Sequence, residues 1–302
     1  MEKTDRTLKG IIALVVLTIV YGLTAVMARF FSDSVGIFEQ WYIRFAFAGV
    51  FTYLVFYRKI RLHTIIHASR KEHMLVAARG LIGFVVAAGL YAWSTQLTSI
   101  GAVAAMQVVP TTAFFGWLLL HERISADRFG LIIMAFFGAL LIVTKGSFGV
   151  QFGMGEIMSL ISGALFSLTF VLRKLQTGEL NNYELAFVGL IYGAMGNYVM
   201  AVLTSGVLVP PTSVLNPTMA SLFIGAAALT VAMSLLSNYG FEHVKATTAS
   251  IILDMELVVG CILGYVVYRE VLRPSELLGA LVILGAVLAI GYREVQSTTV
   301  AS

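Results

Sequence analysis

GIIALVVLTIVYGLTAVMARF, residues 10–30, and GEIMSLISGALFSLTFVLRKL, residues 155–175, decide how this chain folds. Each run is 21 residues long and mostly apolar, and a helix needs about 20 such residues to cross the hydrocarbon core of a bilayer. Laid over one another with a shift of 145, Gly10 meets Gly155, Tyr21 meets Phe166, Thr24 meets Thr169 and Arg29 meets Lys174. The same shift sets Glu39 on Glu184 and Tyr53 on Tyr198. A shift of 148 sets Gly116 on Gly264 and Glu122 on Glu270. Matches that keep their order at a nearly constant offset indicate an internal repeat.

Outward from these two runs, apolar stretches bounded by charge or turn residues predict ten spans. They are Gly10–Phe30, Gly36–Tyr57, Met74–Gln96, Ile100–His121, Ser125–Lys145, Gly155–Leu175, Tyr183–Ser205, Pro217–Tyr239, Thr247–Tyr268 and Pro274–Tyr292. The connection at Leu97–Ser99 is short enough to force a tight helical hairpin, and Arg58–His73 is the longest interior loop. Five spans per half is an odd number, so the halves enter the bilayer from opposite sides. The expected fold is an all-α integral membrane protein of ten transmembrane helices, in two inverted five-helix repeats over residues 8–146 and 153–293. Two such units can exchange conformations and open one central site to each side in turn.

Composition agrees. Of 302 residues, 59% are apolar and 12% charged, and soluble domains carry about 25% charged residues. That excludes a soluble enzyme, a nucleic-acid binder and a disordered chain. The lone Cys261 lies in an apolar run, so there is no intrachain disulfide. With the N-terminus in the cytoplasm, the inside segments hold 14 Lys and Arg, among them Arg58, Lys59, Arg61, Arg70 and Lys71, and the outside segments hold 4. The bias predicts cytoplasmic termini in the cytoplasmic membrane. The net charge of +4 follows from those loops. The first span has the flanks of a signal peptide, but its uninterrupted run to Phe30 and the nine spans after it argue for a retained helix.

Ionised groups in hydrocarbon face a partner or a wet cavity. Arg44 lies near the middle of the second span, and Asp254 and Glu256 near the middle of the ninth. They read either as a midplane substrate or proton site, or as a buried ion pair locking two helices. Asp254 and Glu256 stand about 200° apart round a helix. Gly260 and Gly264 share the Glu256 face, a small-residue stripe suited to close packing. Arg79, near the start of its span, is expected to snorkel to the cytoplasmic interface, and Arg29 to sit at the outer one. Tyr91, Gln107 and Asn197 are polar enough to need internal partners and are candidate cavity residues, while Gln96 and Asn238 fall near helix ends. Pro110, mid-span, frees the carbonyl of Met106 and bends its helix, which suits a gate. Glu122 and Glu270 read as structural acids at helix ends. Ser125 and Pro274 suit helix starts.

Other chemistry fails on its residues. His121-Glu122 is followed by Arg123, Ile124 and Ser125, so the zinc motif is absent. Gly153-Met154-Gly155 lacks the third glycine of a dinucleotide loop, and there is no P-loop. No cofactor and no metal are expected.

The chain resembles the drug/metabolite transporter superfamily, in its EamA-type branch of ten-helix transporters. The resemblance rests on Tyr21-Gly22 running to Arg29, on Arg44, and on Gly101-Ala102-Val103-Ala104-Ala105 followed by Pro110, Glu122, Gly130 and Gly138. Ala249-Ser250, Glu256, Glu270 and Gly279 carry it in the second half. It implies a basket of eight helices around a central cavity, with the fifth helix of each repeat outside. Two departures stand out: Asp254-Met255-Glu256-Leu257-Val258 lies where a second proline is usual, and Tyr21 where a tryptophan often precedes the glycine. The expected function is secondary-active export or exchange of a small polar or amphipathic metabolite by alternating access. The competing class is a membrane-embedded enzyme acting on a lipid or isoprenoid. The implied partners are a small-molecule substrate, protons as candidate coupling ions and the lipid bilayer, with no nucleic acid. Monomer and dimer both fit.

Overall fold

The computed structural model describes residues 2–31, 36–98, 100–146, 153–206, 216–269 and 271–300. The helices are α1 Glu2–Phe31, α2 Ile37–Phe56, α3 Leu62–His67, α4 Arg70–Leu81, α5 Ala88–Leu97, α6 Ile100–Gln107 and α7 Thr111–Leu120. They continue as α8 Ala126–Thr144, α9 Met154–Leu172, α10 Asn182–Ser205, α11 Pro217–His243, α12 Ala246–Leu253, α13 Met255–Tyr268 and α14 Pro274–Val300. A π turn, Ile82–Ala87, joins α4 to α5, and a 3₁₀ turn, Arg173–Leu175, follows α9. Among the described residues there is no strand.

Eight helical stretches are long and apolar enough to cross a membrane. The second and fourth expected spans fall short of that measure for physical reasons. α2 carries Glu39, Gln40 and Arg44 within its first half. The fourth is cut at Val108–Pro110 into pieces of 8 and 10 residues. The ninth is interrupted at Asp254, with α12 ending at Leu253 and α13 starting at Met255.

Local chemistry sets the other boundaries. Ser125 caps α8 by accepting from the Arg128 N–H, and α14 starts at Pro274. Asn181 accepts from the N–H groups of Tyr183 and Glu184, and Glu184 accepts in return from the Asn181 N–H and from Arg61. The long loop is not bare: it folds α3, and α4 begins at Arg70 behind a Ser69 cap. Glu179 ties this loop to the next one by accepting from the Ser69 N–H and the Thr177 hydroxyl. Those bonds, Ser69 first, hold its carboxyl below the usual carboxylate range. α7 and α13 end alike: His121 and Arg269 each take the left-handed conformation, at φ 53° and 56°.

The bundle is assembled from pairs. α2 packs on α10, α8 on α14, and α1 on α11, while α5 and the π turn pack on α9. Loops 58–61, 121–125, 176–181 and 244–245 gather at one end, here termed the basic end. There Lys59 and Asn181, Ser69 and Glu179, and Glu122 and Ala246 are hydrogen-bonded in pairs. At the opposite end Glu39 accepts from the Ser205 hydroxyl, and Lys145 approaches Glu276. Val50, Leu54, Leu203, Leu281 and Leu288 stand exposed on the perimeter as a lipid-facing surface.

The α8–α14 crossing is the tightest contact. A methyl at Gly138 would lie 2.9 Å from the Gly279 carbonyl oxygen, and one at Gly279 would strike the Gly138 carbonyl and Ile142. Small residues let the backbones touch, which supplies dispersion contact where lipid offers no hydrophobic drive. Gly279→Ala is therefore expected to cost about 1–3 kcal/mol through overpacking. Gly291→Ala, in open space on the same helix, is expected to be neutral or slightly stabilising. Thermal melts of both variants in detergent check the contrast.

Candidate functional site

The interruption at Asp254 positions the deepest acids. Every residue from Ala246 to Ile252 is buried, so the basic-end half of the ninth span is sealed on all faces. Past the break the burial relaxes, and Glu256 is exposed. Glu256 lies within electrostatic range of Asp254, of Tyr21 on α1 and of Tyr91 on α5. Tyr91 is itself 41% exposed. Asp254 keeps right-handed helical dihedrals, φ −61° and ψ −18°, at the junction of α12 and α13.

Arg44 goes elsewhere. Its Nε donates to the Thr230 hydroxyl, its Nη2 approaches the Met233 sulfur at 3.8 Å, and its guanidinium sits 5.1 Å from the Trp41 ring centre. The Thr24 hydroxyl reaches the same sulfur from α1. Among the described residues no carboxylate pairs with Arg44. The ion pair expected between Arg44 and the ninth span is thus not made in this conformation, because α11 supplies the partners. Arg44 thus links α2 to α11, and Thr24 joins α1 to the same sulfur.

The amide candidates are committed to backbone. Gln107 donates to the Ser159 carbonyl and hydroxyl, stitching the end of α6 to α9. Asn197, fully buried, donates to the Phe84 carbonyl in the π turn and to Gly193, while its Oδ1 has no partner. Pro110 does more than bend its span. It ends one helix and caps the next, and Thr111 and Thr112 fasten the restart to Ser167 on α9. Glu122 accepts from the first N–H groups of α12, at Ala246 and Thr247. The side chain of Arg29, and Glu270 altogether, lie outside the described residues.

Arg79 departs most from expectation. It does not snorkel. Its guanidinium donates to the Thr169 carbonyl at 3.0 Å, to Gln176 Oε1 at 3.1 Å and to Asn238 Oδ1 at 2.7 Å. Asn238 is correspondingly buried rather than interfacial. Beside this node Arg173 bonds Glu242 and Asn182, and Asn182 bonds Glu242. Arg128 bonds Glu294 and Thr248 across α8, α14 and α12. A polar layer thus closes the basic end.

The model of the EamA-like transporter family matches residues 8–144 and again residues 153–292. The chain belongs to that family. This EamA-like protein, a member of the drug/metabolite transporter superfamily, is 26% identical over 299 residues to an S-adenosylmethionine uptake transporter of Rickettsia prowazekii, covering 96% of this chain and 95% of the relative. The corresponding Rickettsia bellii transporter is 25% identical over 281 residues, covering 89% and 88%. An uncharacterized transporter of Methanothermobacter thermautotrophicus is 20% identical over 301 residues, covering 93% and 86%. In fold, the chain matches a solved crystal structure with a TM-score of 0.78 at 12% identity, over 96% of this chain and 97% of the other. The protein is a multi-pass membrane transporter.

The Arg79 node yields a stability test. Hydrogen bonds to a charged group contribute about 1.5–3 kcal/mol each, so Arg79→Met is expected to cost at least about 2 kcal/mol. Lys71→Met, at an exposed site on the same helix, should stay within about 0.5 kcal/mol. Melting of the two purified variants against the parent checks this.

Proposed function

We propose that this protein is a secondary transporter that works by alternating access. In this reading the chain crosses the cytoplasmic membrane ten times, as two inverted five-helix units over residues 8–146 and 153–293 with both termini inside. The observation that carries the reading is an acid deep in the ninth span, Glu256, exposed beside a helix interruption, with Asp254, Tyr21 and Tyr91 within electrostatic range and no ion-pair partner among the described residues. Two further features support it. Interruptions in the fourth and ninth spans occupy corresponding places in the two halves, and so do the left-handed ends at His121 and Arg269. The helix pairing is also symmetric under exchange of the halves: α1 on α11 mirrors α5 on α9, while α2 on α10 and α8 on α14 map onto themselves.

This cluster favours a substrate carrying positive charge. Asp254 and Glu256 offer carboxylates, and Tyr21 and Tyr91 offer aromatic faces that attract cations. The cargo named for the two Rickettsia relatives, S-adenosylmethionine, carries a sulfonium cation and meets that description. Gln107 and Asn197 serve as scaffold in this reading, and the break at Pro110 is the hinge on which the α6–α7 segment moves.

Two measurements test the proposal. In proteoliposomes, labelled S-adenosylmethionine is expected to accumulate, and Glu256→Gln to lower the rate about tenfold or more, the scale of one charge-assisted contact. Equal rates in parent and variant would remove Glu256 from the transport path. For topology, in a Cys261→Ala background, Lys145→Cys is expected to react with an impermeant maleimide only from outside the cell. Lys71→Cys should react only from the cytoplasmic side, and labelling of both from one face would overturn the inverted arrangement.

A further inference from the structure

A crevice of about 640 Å³ lies at the basic end, apart from the Glu256 site, between the α1–α11 pair and the junction of the end of α2 with the start of α10. Its inner wall is apolar, built of Ala13, Leu235 and Leu236, and its mouth carries Arg58, Lys59 and Tyr183. Arg61, also at the mouth, is neutralised by Glu184 at 3.1 Å. Arg58 and Lys59 are different: both are exposed, and among the described residues neither is paired with an acid. Each is held by a phenol instead. Arg58 donates to the Tyr57 hydroxyl at 2.8 Å, and the Lys59 ammonium rests 4.9 Å from the Tyr183 ring centre. These contacts fix the two cations at the rim without cancelling their charge.

We propose that this crevice binds an anionic phospholipid. A phosphate placed at the rim would meet two uncompensated cations, and an acyl chain would cover the Ala13, Leu235 and Leu236 wall. Basic pockets between helices at the cytoplasmic face suit anionic headgroups in this way. A zwitterionic lipid brings its own ammonium to the same cations and gains less. A free phosphate leaves the apolar wall uncovered. The bound lipid would wedge between two helix pairs and so bear on their relative movement.

The test uses the full chain purified in neutral detergent and titrated with phosphatidylglycerol, reading the melting temperature and lipid adducts by native mass spectrometry. Phosphatidylglycerol is expected to stabilise the parent saturably. Arg58→Gln with Lys59→Gln should raise the lipid concentration at half-effect about tenfold, the combined scale of two near-surface basic residues. Lys59→Gln alone, a change at an exposed side chain, should fall between. Arg70→Gln with Lys71→Gln, which removes the same formal charge from exposed positions outside the crevice, should leave the half-effect unchanged. Equal half-effects in all variants would overturn the proposal, as would equal stabilisation by phosphatidylcholine. Full competition by glycerol phosphate at matching concentration would assign the rim to a free anion and overturn the lipid.

Discussion

The constraint on which this structure depends is that a backbone N–H or C=O in hydrocarbon must find a partner inside the protein. Continuous helices meet it by themselves. This bundle departs from continuous helix at the π turn, at Val108–Pro110 and at Asp254, and each departure is repaired locally. The Phe84 carbonyl of the π turn is met by Asn197. The break at Pro110 is fastened through Thr111, Thr112 and Gln107 to serines of α9. At Asp254 the Leu257 N–H turns back to the Asp254 carbonyl. Irregular backbone therefore marks where the bundle is bound together.

Buried charge follows the same logic with larger penalties. Arg79, Arg128 and Arg173 each sit in a set of acceptors drawn from several helices. Most of these acceptors are amides, hydroxyls and carbonyls, so the layer depends on relative helix position more than on charge cancellation. Such a layer breaks if the helices shift by an ångström or two, because hydrogen bonds weaken steeply with distance and angle. Arg44 is held more thinly, by a hydroxyl, a thioether and an indole, and like Arg79 it bonds no carboxylate among the described residues. A cation in hydrocarbon costs about 2.5–3.5 kcal/mol on insertion scales, and cation–π contact returns about 2 kcal/mol when desolvated.

Most of the helix inventory was legible in the sequence because bilayer thickness sets the length of apolar runs. The expected span Ser125–Lys145 against observed α8, Ala126–Thr144, shows how sharply caps and charges end a helix. The interruption at Asp254 was not legible. It carries no proline or glycine, and only tertiary packing distinguishes it from a continuous helix. The fate of Arg79 was hidden for a related reason. Depth along a span can be counted in residues, but which spans stand side by side cannot, and its partners lie 90, 97 and 159 residues away. The burial of Arg44 can be read from its place at mid-span, but its partner cannot: an acid is the expected one, and a threonine one helix turn from the α11 sulfur holds it.

The two polar zones of the bundle are built for different tasks. In the basic-end layer Arg79, Arg128 and Arg173 each donate to several acceptors, and α12 beside it has no exposed residue from Ala246 to Ile252. Around Glu256 the reverse holds: among the described residues no ion pair engages its carboxylate, and Tyr91 keeps 41% of its surface open. A carboxylate left uncompensated deep in a span is unstable by itself and gains on meeting a cation or a proton. The acid is therefore the part of the bundle that a positive charge or a proton would stabilise, whereas the basic-end layer is held by bonds whose strength depends on helix position.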